Sequence, residues 1–175
     1  MTRRRSCNGD ACTSVWTELF EQGSDTGMDT RQITPHYHVS PQISVEDVAA
    51  IKSAGFTKVI CNRPDFEVPP SHQADAIGKA VRDAGLGFEL LELTHHTMTP
   101  ENVARQMQLA NDSGGKVLAY CASGTRCTVI WALGQIGILS TDDILSTAAQ
   151  GGYDLGGLRG TLYALAARSD PSEPD

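Results

Sequence analysis

Val117-Leu118-Ala119-Tyr120 is an apolar run with no polar alternation. It leads directly into Cys121-Ala122-Ser123-Gly124-Thr125-Arg126, and then into Val129, Ile130, Trp131, Leu133 and Ile136 at helical spacing. A strand without a polar face has to be covered on both sides, which a parallel sheet between helical layers provides. The rest of the chain has to supply those layers, and its element signals do so. Ile33 to Val39 reads as a short extended piece. Ser44 and Asp47 have capping-box spacing ahead of a helix that stops at Gly55. Thr57 to Asn62 reads as a strand, Ser71 to Ala84 as a helix and Phe88 to Leu93 as a strand. Thr99-Pro100-Glu101 opens a helix to Asn111, with Pro at its first position. Thr141 begins another helix ending at Gly151-Gly152, and residues 155–167 give a last one. The order β-α-β-α-β-α-β-α-α predicts a three-layer α/β domain with a mostly parallel central sheet flanked by helices and right-handed crossovers.

The ends differ from this body. Residues 1–27 are polar and rich in Gly, Ser, Thr and Asp, apart from Val15-Trp16 and Leu19-Phe20. They read as a leader without its own fold, or as sequence ahead of a true start at Met28, with a short docking helix at Ser14–Glu21 as the alternative. A single domain is expected over residues 28–168, with a solvated tail at 169–175. The net charge of −7 weighs against a nucleic-acid partner. No apolar run reaches the roughly 18 residues of a membrane span. Arg3, Arg4 and Arg5 lead into polar residues rather than a signal-peptide core, so a cytoplasmic protein with reduced thiols is expected. Of five cysteines, Cys7 and Cys12 lack the spacing of a zinc pair.

The segment Cys121–Arg126 joins a buried strand to a helix, which is where ligands bind in open α/β sheets. Successive backbone N–H groups at such a junction, here those of Ala122, Ser123, Gly124, Thr125 and Arg126, converge on one concavity and attract anions. Gly124 lets the backbone turn. Arg126 can hold an oxyanion through two parallel hydrogen bonds. A cysteine in that field is expected to be largely thiolate near neutral pH, and hence a nucleophile toward an anionic electrophile. No cofactor is required. The His36/His38 and His95/His96 pairs lack a third ligand at suggestive spacing, so no metal is expected.

The loop is similar to the signatures of cysteine-dependent phosphatases and rhodaneses. The wider chain resembles the phosphatase-like domain family named after beta-lactamase hydrolase-like proteins. The matching pieces are Arg31-Gln-Ile-Thr34, Val39-Ser40 with Gln42-Ile43-Ser44, Asn62-Arg63-Pro64-Asp65, Thr99-Pro100-Glu101, Val117-Leu118-Ala119, Cys121 with Ser123-Gly124-Thr125-Arg126, and Gly152-Tyr153-Asp154-Leu155. The resemblance implies a cysteine-phosphatase-like fold, and either phosphatase or sulfurtransferase activity, since some relatives are fused to sulfur-oxidising domains. The chain departs from the family's usual pattern in Tyr120 for a frequent His, Ala122 for a frequent Arg and Cys127 for a Ser whose hydroxyl would support the thiolate.

Two features favour sulfur. Four residues separate Cys121 from Arg126, as in rhodanese loops, where phosphatases generally have five. The stretch Thr94-His95-His96-Thr97-Met98 holds no carboxylate to protonate an alkoxide leaving group, whereas sulfite leaves from thiosulfate unaided. The expectation is therefore a sulfurtransferase carrying a Cys121 persulfide, with thiosulfate or a persulfide as donor, a thiol or cyanide as acceptor, and a sulfur-oxidation enzyme as partner. The alternative is a phosphate monoester hydrolase working through a Cys121 phosphocysteine, with Asp65 as the best general acid ahead of Glu67 and His95. A third reading is a non-catalytic anion-binding module. Cys127 and Cys61 are candidates to resolve an oxidised Cys121 as a disulfide.

Overall fold

The computed structural model describes residues 27–169. A five-stranded sheet forms the centre, in the order β1-β2-β5-β3-β4. β1 (Arg31–Gln32) pairs antiparallel with β2 (Tyr37–Ser40). The piece expected at Ile33–Val39 is thus the turn and second arm of a hairpin. β3 (Phe56–Cys61), β4 (Gly87–Leu90) and β5 (Lys116–Tyr120) run parallel with β2. β5 lies between β2 and β3, so its two sides are hydrogen-bonded and both its faces are buried, as its unalternating sequence requires.

Side-chain alternation along β5 divides the core. Leu118 and Tyr120 join Phe56, Val59, Cys61 and Phe88 beneath α1 (Val48–Ser53) and α2 (Ala74–Asp83). Val117, Ala119 and Cys121 face the other way. They meet α3 (Pro100–Asn111), α4 (Thr125–Gly134), α5 (Thr141–Gln150) and α6 (Arg159–Ser169), whose Leu109, Trp131, Ile144 and Leu162 fill that layer. The architecture is the expected three-layer α/β sandwich.

Helix starts follow local chemistry. Thr99 Oγ1 accepts the Asn102 N–H at 3.3 Å, with Pro100 at the first position of α3. Ser140 Oγ accepts the Asp143 N–H at 3.1 Å at the start of α5. Asp47 Oδ2 reaches back to the Ser44 N–H at 2.7 Å, the carboxylate half of the anticipated box, yet α1 opens only at Val48. The helix expected from Ser71 begins at Ala74 because Pro69 and Pro70 lead the chain into a 3-10 turn over Pro70–His72. The last helix likewise follows a 3-10 turn at Gly156–Leu158. Among the described residues no helix is long and apolar enough to cross a membrane.

Candidate active site

β5 delivers Cys121 to the carboxyl end of the sheet, 1% exposed. The chain then turns through Ala122–Gly124 into α4. Gly124 caps α4 at φ +86°, and its N–H donates to Cys121 Sγ at 3.1 Å. A side chain at residue 124 would be strained by that φ and would strike the Tyr153 hydroxyl. That hydroxyl donates to Ser123 O at 3.0 Å, while the Arg31 guanidinium lies 5.3 Å from the Tyr153 ring centre. Two pieces of the family resemblance, the Arg31 and Tyr153 segments, therefore meet behind the loop. Ser123 and Thr125 join hydroxyls at 2.9 Å across its outer side.

The thiol of Cys127 hydrogen-bonds the Cys121 sulfur. Burial opposes ionisation, but that bond and the backbone N–H groups of Cys127, Ser123 and Arg126 outweigh it and bring Cys121 down to about 5 from an ordinary 9.0. Cys121 is thus a thiolate at neutral pH. Cys127 is completely buried, and burial first, then its hydrogen bond with Cys121 and the Cys121 charge, push its own pKa well up. It stays a neutral donor, in the role a serine hydroxyl would fill.

Arg126 is anchored by a residue whose role the sequence did not signal. Its Nη1 and Nη2 grip Glu67 Oε1 and Oε2 at 2.8 and 2.6 Å, and Nη1 also donates to Leu93 O at 2.7 Å. Arg63 Nε holds the far side of Glu67 at 3.2 Å. The hydrogen bond from Arg126 is the main cause of the lowered Glu67 pKa, and the same bond raises that of Arg126. A guanidinium carries five N–H donors in a plane. The Glu67 fork and Leu93 O use three, and the two left over, Nε–H and one Nη2–H, point from the same edge. The nearby Cys121 charge also raises the Arg126 pKa. Glu67 therefore fixes the arginine without covering the pair of donors that can grip two oxygens of an anion.

Behind α4 runs a buried polar chain. Asn62 and Gln106 exchange amide hydrogen bonds at 2.9 and 3.0 Å, Gln106 Nε2 donates to Tyr37 Oη at 2.9 Å, and that hydroxyl donates to Cys127 O at 3.0 Å. Every member is satisfied, so the chain ties β2, β3 and α3 to the first turn of α4.

Asp65 lies on the same 3-10 turn as Glu67 but points elsewhere: its Oδ1 accepts the Ala74 N–H at 2.7 Å, at the start of α2. Cys61 lies on the α1–α2 face, across the sheet from Cys121, and donates to Arg63 O at 3.4 Å. The structure brings Cys127, and not Cys61, to the Cys121 sulfur. Cys7, Cys12 and the Ser14–Glu21 segment lie outside the described residues. His38 packs edge-on against Phe56, 5.1 Å between ring centres. Among the described residues no group of three or more His, Cys, Asp or Glu side chains could hold a metal. A cleft of about 500 Å³ opens beside the loop, lined by Thr125, Arg126, His95 and Asp154 together with apolar side chains. Asp154 escaped the sequence reading as a titratable group of the site, because only the return of the chain after α5 brings it there.

The family described as "Beta-lactamase hydrolase-like protein, phosphatase-like domain" matches residues 29–138. A beta-lactamase hydrolase-like protein of Xylella fastidiosa is 28% identical over 120 residues, which cover 67% of this chain and 28% of that protein. The chain thus spans under a third of the length of this relative. Among solved structures, a candidate phosphatase from Neisseria meningitidis is 30% identical, with a TM-score of 0.69 over 75% of this chain and 94% of that one. P. aeruginosa TpbA in complex with pTyr shares the fold at 18% identity and a TM-score of 0.54, over 83% of this chain and 94% of that one. The fold is that of the cysteine-dependent phosphatases. These likenesses back the phosphate reading of the loop above the expected sulfur transfer.

Proposed function

The chain belongs to the phosphatase-like domain family of beta-lactamase hydrolase-like proteins, and from that premise we propose that it hydrolyses phosphate monoesters through a phosphocysteine at Cys121. The observation that carries this reading is a thiolate, with a pKa of about 5, on the same loop as an Arg126 whose Glu67 and Leu93 bonds leave a two-donor edge unused.

The Cys121 thiolate attacks phosphorus, an S–P bond forms and the ester P–O bond breaks. The N–H groups of the loop and the free edge of Arg126 take the equatorial oxygens, where charge sits in the transition state. A proton passes to the leaving alkoxide. Water then attacks phosphorus, gives up a proton to the same base, and the S–P bond breaks to release phosphate and restore the thiolate. The proton donor comes from His95 or Asp154, the titratable side chains that share the cleft with Arg126. Asp65 is placed second to them, because its carboxylate turns to the start of α2 and does not line the cleft with Arg126. The bound phosphate ester in TpbA's pTyr complex fits a small phosphorylated substrate here as well.

The test is p-nitrophenyl phosphate hydrolysis by the wild type and Cys121→Ser, with the phosphoenzyme trapped by acid quench. Turnover confined to the wild type, with a transient mass gain of one phosphoryl group on Cys121, is expected. A wild type that turns over neither aryl nor alkyl phosphates would exclude the reading. The four-residue Cys–Arg spacing keeps sulfur transfer as the second reading. It calls for a reducible gain of one sulfur atom on Cys121 after incubation with thiosulfate.

A further inference from the structure

We infer that the substrate is a phosphate monoester of a long apolar alcohol, whose chain lies in a trough running from Arg126 along α4; this rests on the phosphate reading above. The cleft beside the loop has Thr125 and Arg126 at one end, and beyond them Met98, Val129, Leu133, Leu155 and Leu158. A second cleft of about 500 Å³ continues it, sharing Met98 and Leu133 and adding Val103, Met107, Ile136 and Leu165. Residues 126, 129 and 133 recur at helical spacing, so a single face of α4 leads from the guanidinium into apolar surface, with Ile136 just past the end of the helix. At about 1.5 Å per residue this stripe runs roughly 10 Å from Arg126 to Leu133. One aromatic ring would fill the first cleft and leave the second empty.

The lining also selects against a peptide. Among the described residues, the only side chain of the second cleft that carries a hydrogen-bonding group is Ser169, apart from the weakly accepting methionine sulfurs. A peptide lying there would leave backbone N–H and C=O groups without partners, which is costly. A hydrocarbon chain has no such groups, and its burial is favourable by itself. Continuity with Arg126 supplies the remaining constraint: an occupant of the whole trough has its anionic group at one end and its apolar body behind it.

The experiment measures protection of Cys121 from iodoacetamide by methyl-, butyl-, hexyl- and decylphosphonate, kept below their micelle concentrations. These anions cannot be hydrolysed, so binding is read without turnover. Protection is expected to tighten about two- to fourfold per methylene. Ala104→Glu, an exposed change at the far cleft, is expected to reduce the decyl-to-methyl ratio at least tenfold. Leu133→Gln, where both clefts meet, is expected to reduce it further. A flat series with p-nitrophenyl phosphate hydrolysis intact overturns the trough and leaves the phosphatase reading standing. A steep series without hydrolysis keeps the apolar site and removes that reading. A flat series in a protein that scatters light as a dimer overturns the assignment and gives the trough to a second copy. Absence of protection by every phosphonate overturns it too, because the cradle would then bind no such head.

Discussion

Cys61 and Cys121 end adjacent parallel strands, and both are buried, at 2% and 1% exposure. Their thiols are nevertheless driven in opposite directions. Burial raises the pKa of Cys61, and the neighbouring Tyr120 hydroxyl and the Arg63 backbone only partly oppose it. Cys121 falls to about 5 because the Cys127 thiol and the N–H groups of a turn in front of α4 stabilise its charge. The two faces of one sheet therefore teach that depth alone makes a thiol inert. Reactivity comes from the donors that the chain aims at the sulfur after the strand has ended.

The largest expected effect breaks this comparison outright. Cys121→Ser should lower aryl phosphate hydrolysis by on the order of 10³-fold or more, while Cys61→Ser should stay within about twofold. Steady-state rates of the two purified variants check this, and comparable losses would mean that the α1–α2 face participates. Next in size is Arg126→Lys, expected to cost about 10²-fold in kcat/KM. An ammonium cannot keep the Glu67 fork and present a second two-donor edge together. Loss of Glu67 also has a pH signature. Its folded-state pKa is depressed, so the stability it contributes is fully present above its ordinary 4.5 and is lost as pH falls through the folded value. Urea unfolding of wild type and Glu67→Gln should converge at acid pH and separate near neutrality. Parallel curves would remove the ion pair from the account.

What could be read in advance was local. Cys121, Gly124 and Arg126 stand within six consecutive residues, and an apolar strand feeding a glycine turn and a helix identifies itself. The cap of α3 was as plain in Thr99-Pro100-Glu101. The partners of these residues were not visible, because they are set by the fold's return. Glu67 meets Arg126 across 59 residues, and Gln106 meets Tyr37 across 69. Asp65 and Glu67 illustrate the limit, since nothing in Asp65-Phe66-Glu67 says which carboxylate faces the loop. The 3-10 turn over Asp65–Glu67 sends one to α2 and the other to Arg126. The preference for sulfur is less well supported than the phosphate alternative, for a related reason. It rested on loop length and on the lack of a carboxylate after β4, whereas Asp154 brings a carboxylate to the cleft from the loop after α5, beside His95.

A smaller effect sharpens the contrast between the two thiols. Cys127→Ala removes the main donor to the Cys121 sulfur, and a hydrogen bond to a charged group is worth about 1.5–3 kcal/mol. The midpoint of Cys121 alkylation should rise from about 5 by roughly one to two units. Cys127→Ser should hold it low, because a hydroxyl is the better donor. The sign carries into stability as well. A thiol depressed from 9.0 to about 5 binds fewer protons folded than unfolded between those values, so its contribution grows as pH rises through that window and is lost as pH falls through about 5. Iodoacetamide rates against pH for the three proteins decide the matter, and an unmoved midpoint in Cys127→Ala would assign the whole depression to the backbone.

The smallest effect concerns what holds the turn from behind. Tyr153→Phe removes one hydrogen bond to Ser123 O and should cost about 1 kcal/mol, with a few-fold loss in rate. Gly124→Ala should cost more, through a φ of +86° and a collision with the Tyr153 hydroxyl. The two changes share an atom, so they should not add. In Gly124→Ala the hydroxyl is already displaced, and Tyr153→Phe then takes away the group that collides. The double variant should be no less stable than Gly124→Ala alone, a coupling that urea unfolding of all four proteins reads directly. Strict additivity would mean that the turn is held by its own φ and the N–H bond to Cys121, with Tyr153 only lying against it.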